Sequence, residues 1–361
     1  MGQPLPEHLR RILDLARWAP SGDNTQPWRF EIRGDEHVLV HGFDTRNHVV
    51  YDLDGHASQL AVGALLETMA LAATTQGRRC EIVRRTDTLE THLLFDVRFR
   101  PDASVGVDPL AACIETRVVQ RRPMSTQPLT AEQKAALAAA LPAGFKVVWF
   151  EDLPQRWCLA KFMFDNAKIR LTIPEAYATH STVIEWAARY STDRIPEQAV
   201  GVDPLTARLM RWVMASDWAR VEFFNRYLLG DLPPRIQLDL LPGLFCAAHF
   251  ALLAPLSLKT LDDYLAAGRV MQRFWLTAGS QGLFIQPEMT PVIFTRYHRQ
   301  QRPFTSLDQA AGTVAKLDAR LADLLHGDNR DALFFIGRLG TGPAPRSRSI
   351  RKPVAALMHS A

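Results

Sequence analysis

The sequence predicts a mixed protein of helices and strands that is built from two related halves. Helix and strand periodicities alternate along the chain, as in residues 7–19, where an apolar stripe at helical spacing precedes a strand-like alternation that starts at Trp28. The same order of helix, loop and strand recurs at residues 131–150. Two long helical segments, which end near Gly77 and Gly282 and each precede a strand, also correspond. We therefore predict an internal duplication.

The first half is predicted to contain two helices and four strands. Pro20 ends the first helix, and alternating apolar and polar residues predict a hairpin that turns at Gly34 and Asp35. Gly77 is the predicted C-terminal stop of the long second helix. Residues 100–108 are typical of a linker. The predicted elements are helices at 7–19 and 58–76, and strands at 28–33, 37–42, 80–85 and 93–99.

The second half is predicted to span residues 109–361, after a first half of residues 1–104. Thr130 and Gln133 have the spacing of a capping box, which predicts a helix that ends near residue 140. Strands are predicted at 145–150 and at 245–253, and the latter is apolar almost throughout, as in the interior of a sheet.

A helical, aromatic-rich insertion is predicted at about residues 157–240. Two interpretations of its rings are open: they cover a flat ligand as a lid, or they belong to the hydrophobic core. The rings in question are those of Trp157, Phe162, Phe164, Trp186, Trp212, Trp218, Phe223 and Phe224.

The composition is that of an ordinary globular protein. The chain has 361 residues, of which 47% are hydrophobic and 22% charged, so it is long enough to bury a large core. The net charge of +4 does not by itself indicate nucleic-acid binding, and an anionic small ligand fits it equally well. The four cysteines are scattered, which predicts neither a zinc site nor a disulfide framework. We find no apolar leader and no membrane-spanning run, and expect a cytoplasmic protein.

The loop between the first helix and the first strand is the most distinctive stretch of the sequence. It reads Ala-Pro-Ser-Gly-Asp-Asn-Thr-Gln-Pro-Trp over residues 19–28. Its two amides, Asn24 and Gln26, each offer a donor and an acceptor, which suits the polar edge of a heterocycle. Loops of similar composition also connect helices and strands without any ligand.

This loop resembles the signature of the nitroreductase-like flavoproteins, in the pattern Ala-Pro-Ser-x-x-Asn-x-Gln-Pro-Trp. The resemblance implies an α+β fold in which each half has a sheet flanked by helices, with a helical lid in the second half. It also implies an FMN cofactor. In that family the loop lies against the isoalloxazine ring and comes from the opposite subunit to the one that holds the phosphate.

The other side of such a site is found in the second half. The run Arg117-Val118-Val119-Gln120-Arg121 resembles the family's Arg-x-Ser/Thr-x-Arg/Lys motif, with Val119 in place of the hydroxyl residue. The first half lacks this motif, and the second half lacks the loop. Their complementarity predicts a covalent pseudodimer with a single FMN site at the seam between the halves.

The resemblance also assigns roles within that site. It implies that Arg117 contacts the phosphate and Arg121 the N1/O2 edge of the flavin. The residues that it implies for cofactor binding are Pro20, Ser21, Gly22, Asn24, Gln26, Arg117, Val118, Val119, Arg121, Arg348, Arg351 and Lys352. Arg348, Arg351 and Lys352 correspond to the family's basic C-terminal segment.

A tandem subgroup that includes the mycobacterial Acg protein is the most similar part of the family. The likeness extends to Asp193-Arg194-Ile195-Pro196, Ala267-Gly268-Arg269 and Gln286-Pro287-Glu288. In this subgroup the suggested role is the shielding or storage of FMN rather than the reduction of nitro compounds.

Three functions are therefore open. The first is an FMN-dependent oxidoreductase that passes a hydride from NAD(P)H through flavin N5 to a nitro, quinone or similar acceptor. The second is a protein that binds and sequesters FMN under a lid with little turnover. The third is a degenerate flavin fold retained for protein or nucleic-acid contacts, which the basic C-terminal run and Val119 favour.

We expect the cofactor to perform the redox chemistry, so no catalytic side chain is predicted. No metal ligand is predicted either, and His41, His48 and His56 are assigned to turns and the surface. The expected partner is a small-molecule electron acceptor, with no nucleic acid and no membrane. The expected state is a monomer, because the family's dimer interface is internal, or a weak homodimer.

Overall fold

Two four-stranded antiparallel sheets form the framework of the protein, in a computed structural model that describes residues 5–325, 327 and 329–359. The first sheet consists, in spatial order, of β1 (Trp28–Gly34), β2 (His37–Phe43), β4 (His92–Pro101) and β3 (Arg78–Arg84). The second consists of β10 (Phe284–Pro287), β11 (Leu333–Gly340), β9 (Ala248–Leu253) and β5 (Lys146–Phe150). The protein therefore belongs to the α+β class, and its two sheets lie on either side of the predicted linker.

Helices and two short strand pairs complete the structure. The helices are α1 (Glu7–Ala16), α2 (His56–Thr74), α3 (Ala131–Ala139), α4 (Leu153–Thr172), α5 (Pro174–Val183), α6 (Pro204–Met214), α7 (Trp218–Tyr227), α8 (Leu232–Arg235), α9 (Leu241–Leu244), α10 (Leu261–Ser280), α11 (Thr290–Arg299) and α12 (Asp308–Leu324). The strand pairs are β6 (Ile184–Glu185) with β8 (Ile195–Pro196), and β7 (Tyr190–Ser191) with β12 (Arg348–Ser349).

The first sheet forms because its strands alternate between a buried and a more exposed face. Trp28, Phe30, Val38 and Val40 are fully buried and pack in one core with helices α1 and α2. The register pairs Phe30 with Val40, which places apolar side chains opposite one another on the inner face. The predicted hairpin is thus confirmed, with strands one residue longer than expected.

The long helix α2 starts two residues earlier than predicted because Asp52 caps it. The Asp52 carboxylate accepts hydrogen bonds from the backbone amides of Ala57 and Ser58, at 2.8 and 3.1 Å. These amides have no partner within the first turn, so a buried carboxylate there stabilises the helix. At the other end, Gly77 has a φ of +60°, which confirms it as the stop after the helix.

Helix α2 also has the length and composition of a membrane span, with a mean hydropathy of 1.2, although the sequence analysis expected no such segment. In the structure, 83% of its apolar window is buried inside the protein. Glu67 and several polar residues interrupt the apolar run of this helix, so the sequence does not show it as a membrane span. Its burial is that of a core helix.

The second sheet is more deeply buried than the first. Every residue of β9 and β11 is buried, which confirms the prediction of an interior strand in this region. The strand begins at Ala248 rather than at residue 245, because helix α9 continues the chain up to Leu244. The capping box predicted at Thr130 is also confirmed, since its side chain accepts a hydrogen bond from the Gln133 amide at 3.1 Å.

The predicted insertion at about residues 157–240 is largely helical, but its aromatic rings do not form one group. Phe162 is fully buried in the core, whereas the rings of Trp157, Trp212 and Phe223 are more than half exposed. Neither interpretation from the sequence therefore holds for all of them. The helices of the insertion nevertheless cover one side of the cavity described below.

The chain returns to the first half after strand β11. Leu357 is fully buried in the core of the first sheet, and the amide of His359 donates a hydrogen bond of 2.8 Å to the carbonyl of Phe30. Arg348 and Arg351 precede these contacts. The C-terminal segment, residues 347–359, therefore connects the second half to the edge of the first sheet.

Helices α2 and α10 cross at two glycines. A side-chain carbon added at Gly63 would lie 2.2 Å from the carbonyl oxygen of Leu265, and one added at Gly268 would lie 2.2 Å from that of Leu60. The two contacts are reciprocal. Leu265 lies three residues before Gly268, and Leu60 lies three residues before Gly63. Such an arrangement is what a two-fold relation between the halves would produce.

We predict that Gly268→Ala destabilises the protein by about 1–3 kcal/mol, because a backbone carbonyl cannot move aside as a side chain can. Thermal or urea unfolding measures the difference. Gly312→Ala is the matched control, since Gly312 lies in helix α12 with open space around it. That change is expected to stabilise the protein by about 0.5–1 kcal/mol. Equal stability of the two variants would contradict the close crossing.

Candidate functional site

A cavity of about 440 Å³ is lined by residues from both sides of the predicted linker. Its wall includes Leu60 from helix α2 and Trp275 from helix α10, together with parts of the insertion. A cavity of this size can hold a drug-sized ligand or a cofactor. Ten of the twelve residues predicted for the cofactor site line it, namely Pro20, Ser21, Gly22, Asn24, Arg117, Val118, Val119, Arg121, Arg348 and Arg351.

The distinctive loop forms one wall of the cavity in a strained conformation. Asp23, Asn24 and Gln26 have φ values of +49°, +64° and +49°, a region that residues other than glycine rarely adopt. Hydrogen bonds to distant parts of the chain stabilise this strained conformation of the loop. The Asn24 amide donates to the carbonyl of Ile350 at 3.0 Å, which leaves its Oδ1 buried without a partner. Strain of this kind is concentrated at functional sites.

Gln26 and Lys352 do not line the cavity, in contrast to the assignment made from the resemblance. Gln26 is fully buried, and its amide group donates to the carbonyl of Thr192 at 2.8 Å. Its Oε1 accepts a hydrogen bond of 3.0 Å from the backbone amide of Lys352. The Lys352 ammonium lies 3.7 Å from Asp193. Both residues therefore fix the loop and the C-terminal segment through contacts outside the cavity.

Three arginines converge at one end of the cavity without a counter-ion. Arg117 and Arg351 are each more than nine-tenths buried, and Arg348 lies beside them. Among the described residues, none of the three forms an ion pair with a carboxylate. Their hydrogen bonds go to backbone carbonyls, such as that from Arg117 to Trp18 at 3.0 Å. The buried Nε atoms of Arg117 and Arg348 have no partner at all.

Burial lowers the pKa of all three guanidinium groups, and the charge of neighbouring arginines lowers the pKa of Arg117 and Arg351 further. Stacking on two indoles offsets part of this cost, since Arg117 lies 4.5 Å from the Trp275 ring centre and Arg348 lies 4.8 Å from that of Trp18. A guanidinium stays charged even when buried. This end of the cavity is therefore a site for an anion, and its planar donors suit a phosphate or a carboxylate.

Further charged residues line the opposite part of the cavity. Arg170, from helix α4, pairs with Asp239 at 2.9 Å. Burial raises the pKa of Asp239 to about 6, against the opposing effect of Arg170. Asp23 faces Arg121 and Arg170, and burial raises its pKa. The sequence analysis missed Arg170 and Asp239, because the two lie 69 residues apart and belong to no motif.

The insertion closes this side with aliphatic and methionine side chains. None of the eight aromatic residues of the predicted lid lines the cavity. The side chains that line it from the insertion include those of Met163, Leu171, Met210, Met214 and Leu238. Methionine adapts its shape to a partner, so such a wall can pack against a flat ligand without stacking.

A buried ionic network, His249–Glu288–Arg338, supports the cavity wall. The two ring nitrogens of His249 lie 2.8 Å from the Glu288 carboxylate and 2.8 Å from the carbonyl of Gly243. Both partners are acceptors, so both nitrogens must donate and the imidazole is cationic. Burial alone would lower the pKa of His249, but Glu288 raises it to about 10. Arg338 donates to the other oxygen of Glu288 at 2.7 Å.

The three histidines that stand close together in sequence do not converge in space. His48 is exposed in a turn, and His56 stacks on Tyr264 with ring centres 3.6 Å apart. His41 is buried on strand β2, where it contacts His92 and His359 instead.

Comparison with known proteins shows distant relatives in Mycobacterium tuberculosis, while no family model matches the chain. A protein of strain H37Rv named "Putative NAD(P)H nitroreductase" is 30% identical over 190 residues, which cover 52% of this chain and 54% of that protein. An uncharacterized protein of strain CDC 1551 is 22% identical over 353 residues, or 94% of this chain and 47% of its own. Another, from strain H37Rv, is 31% identical over 123 residues, or 33% and 36%.

The chain thus spans between about a third and about half the length of these curated relatives. The matches indicate a distant relation to a nitroreductase-like protein.

We predict that the stability of the protein falls as the pH rises from about 6.5 towards 10, because the folded state binds the His249 proton more tightly than the unfolded state does. The contribution is fully present below the ordinary histidine pKa, and about 2 kcal/mol of it is lost between pH 7 and pH 9. Urea unfolding at both pH values measures it. His249→Gln should show a smaller loss, whereas the exposed-site variant His48→Gln should behave as the wild type does. A loss of equal size in His249→Gln would contradict the cationic assignment.

Proposed function

We propose that this protein is an FMN-dependent oxidoreductase of the nitroreductase type, which uses NAD(P)H to reduce a nitro compound, a quinone or a similar acceptor. The observation that carries the proposal is the group of three guanidinium groups without counter-ions, those of Arg117, Arg348 and Arg351, beside the strained loop. The phosphate of FMN would supply the missing negative charge. The name of the M. tuberculosis relative that matches about half of this chain supports the same class.

The residues present fit such a cofactor. Arg117, Arg348 and Arg351 would hold its phosphate, and the unpaired Oδ1 of Asn24 is an acceptor for a polar edge of its ring. Arg121 would place positive charge near the N1–C2=O edge, where reduction adds negative charge. The chemistry that FMN supplies when bound is acceptance of a hydride from NAD(P)H at N5 and its transfer to the acceptor.

The acceptor also needs protons, and the cavity wall can hold one. The Asp239 carboxyl, with a pKa of about 6, is partly protonated near neutral pH. The hydroxyl of Tyr51 and the Nε2 atom of His180 lie 2.9 Å apart at the same cavity. Asp239, Tyr51 and His180 are thus the candidates in the cavity wall for delivering a proton to the acceptor.

The proposal includes the organisation of the chain as two fused halves with one site at their seam. The loop belongs to the first half and Arg117 and Arg121 to the second, and the reciprocal crossing at Gly63 and Gly268 supports a two-fold relation between them. A monomer or a weak homodimer is proposed on the same ground.

We predict that Arg117→Ala weakens FMN binding about 10- to 100-fold, the effect of losing charge-assisted hydrogen bonds to a phosphate. Titration followed by flavin fluorescence gives the Kd, and the absorption spectrum after desalting shows whether FMN is retained. Arg122→Ala is the matched control, because Arg122 is exposed and donates to the carbonyl of Gln198 outside the cavity. Wild-type protein that retains no flavin, or variants that bind equally well, would refute the assignment of the phosphate site.

A second candidate function is the storage of FMN. The observation that favours it is the wall of methionine and leucine side chains by which the insertion closes the cavity. The third possibility, nucleic-acid binding by the basic C-terminal run, is less well supported, because Arg348 and Arg351 face the cavity.

Anaerobic mixing of the FMN-loaded protein with NADH or NADPH separates the first two candidates. We predict that the bound flavin is reduced at a rate on the order of 1 s⁻¹ or faster and that a quinone or nitroarene reoxidises it, as turnover by an enzyme requires. Reduction that is slower than that of free FMN, with the flavin still bound, would favour storage over catalysis.

A further inference from the structure

A cluster of imidazole and carboxylate groups lies on the outer face of the first sheet, away from the cavity. It contains Glu31 from strand β1, His41 from strand β2 and His359 from the C-terminal segment. One ligand-type atom from each of these residues lies within 4.8 Å of the others. His92, from strand β4, borders the cluster.

The distances in the cluster are close to those of a metal centre. The Nε2 atom of His41 lies 3.0 Å from a carboxylate oxygen of Glu31. Bond lengths of about 2.0–2.1 Å in a tetrahedral zinc site place the ligand atoms about 3.3 Å apart. The rings of His41 and His359 stack with centres 3.9 Å apart. The His359 ring would turn out of this stack to direct its nitrogen at a metal ion held by His41 and Glu31.

The surroundings of His41 are also those of a metal ligand. Its second ring nitrogen, Nδ1, lies 2.9 Å from the Nε2 atom of His92. A ligating histidine usually donates this second N–H to a neighbour, which fixes its ring and its tautomer.

We propose that Glu31, His41 and His359 bind a divalent transition-metal ion, with Zn²⁺ as the best match, and that His92 orients His41. Two imidazoles and one carboxylate are a donor set that zinc accepts, with a water in the fourth position. The site is independent of the function proposed for the cavity.

One cation now competes for the carboxylate. Arg33 lies 3.0 Å from Glu31, but its side chain is about half exposed. An exposed ion pair contributes little to stability, so the metal can displace it at small cost.

Metal binding would attach the C-terminal segment to the first sheet. His359 lies next to Met358, which bridges Phe30, and Leu357 is buried in the same core. The segment also carries Arg348 and Arg351, so the metal site and the anion site are held by one stretch of chain.

Calorimetric titration of the metal-free, tag-free protein with Zn²⁺ tests the proposal, and Co²⁺ absorption spectra report the geometry. We expect one ion per chain with tetrahedral Co²⁺ bands. Glu31→Gln and His359→Gln should each weaken Zn²⁺ binding at least about 100-fold, because each removes a ligand, and His92→Gln about 10-fold, because it acts through His41. Binding should also weaken as the pH falls, because protons compete for the imidazoles.

His48→Gln is the matched control, since it removes an exposed histidine outside the cluster. It should leave the affinity and the stoichiometry unchanged. Both ligand variants replace half-buried side chains, and their circular dichroism spectra should match that of the wild type if they fold. Zn²⁺ binding that is absent in the wild type, or equally tight in wild type, Glu31→Gln and His359→Gln, would overturn the proposal.

Discussion

The close crossing of helices α2 and α10 is the constraint on which the rest of the structure depends. At Gly63 and Gly268 the backbones approach until each glycine meets a carbonyl of the other helix. The same two helices supply Leu60, Met271 and Trp275 to the cavity wall. A wider crossing would move these side chains apart. It would also move the loop at residues 19–28 away from Arg117 and Arg121. The packing of two glycines thus sets the width of the site.

The electrostatics of the cavity are divided between its two parts. The network of His249, Glu288 and Arg338 contains its own negative charge, and Arg170 has Asp239 as a partner. The cluster around Arg117 has no such partner and relies on indole rings and backbone carbonyls. Buried cations without counter-ions destabilise a folded protein. Their presence beside the cavity is best explained by a ligand that brings the negative charge.

Much of this arrangement was predicted from the resemblance of short motifs to those of the nitroreductase-like flavoproteins. The loop, the Arg117-to-Arg121 run and the basic C-terminal residues were assigned to one site, and all but Gln26 and Lys352 line one cavity. Gln26 was misplaced because sequence does not show whether an amide points at a ligand or at the backbone. The role of the aromatic rings in the insertion stayed open in the sequence, because helical periodicity indicates which residues share a face and not what that face contacts.

Contacts between distant parts of the chain could not be predicted from local patterns. His41 was considered with His48 and His56, its neighbours in sequence, although its neighbours in space are His92 and His359. Arg170 and Asp239 meet only because the insertion folds back on itself. The cap of helix α2, in contrast, is a local contact. Asp52 was not predicted as the cap because it lies four residues before the first residue of the helix.

The course of the C-terminal segment has a consequence for biosynthesis. Residues 348–351 complete the anion site, but they are made after both sheets, and they dock on a loop that leaves the ribosome near the start of translation. The first sheet is synthesised early, but its core stays incomplete until Leu357 has been made. A ligand that is held by Arg117, Arg348 and Arg351 together can bind only after this segment has emerged from the ribosome.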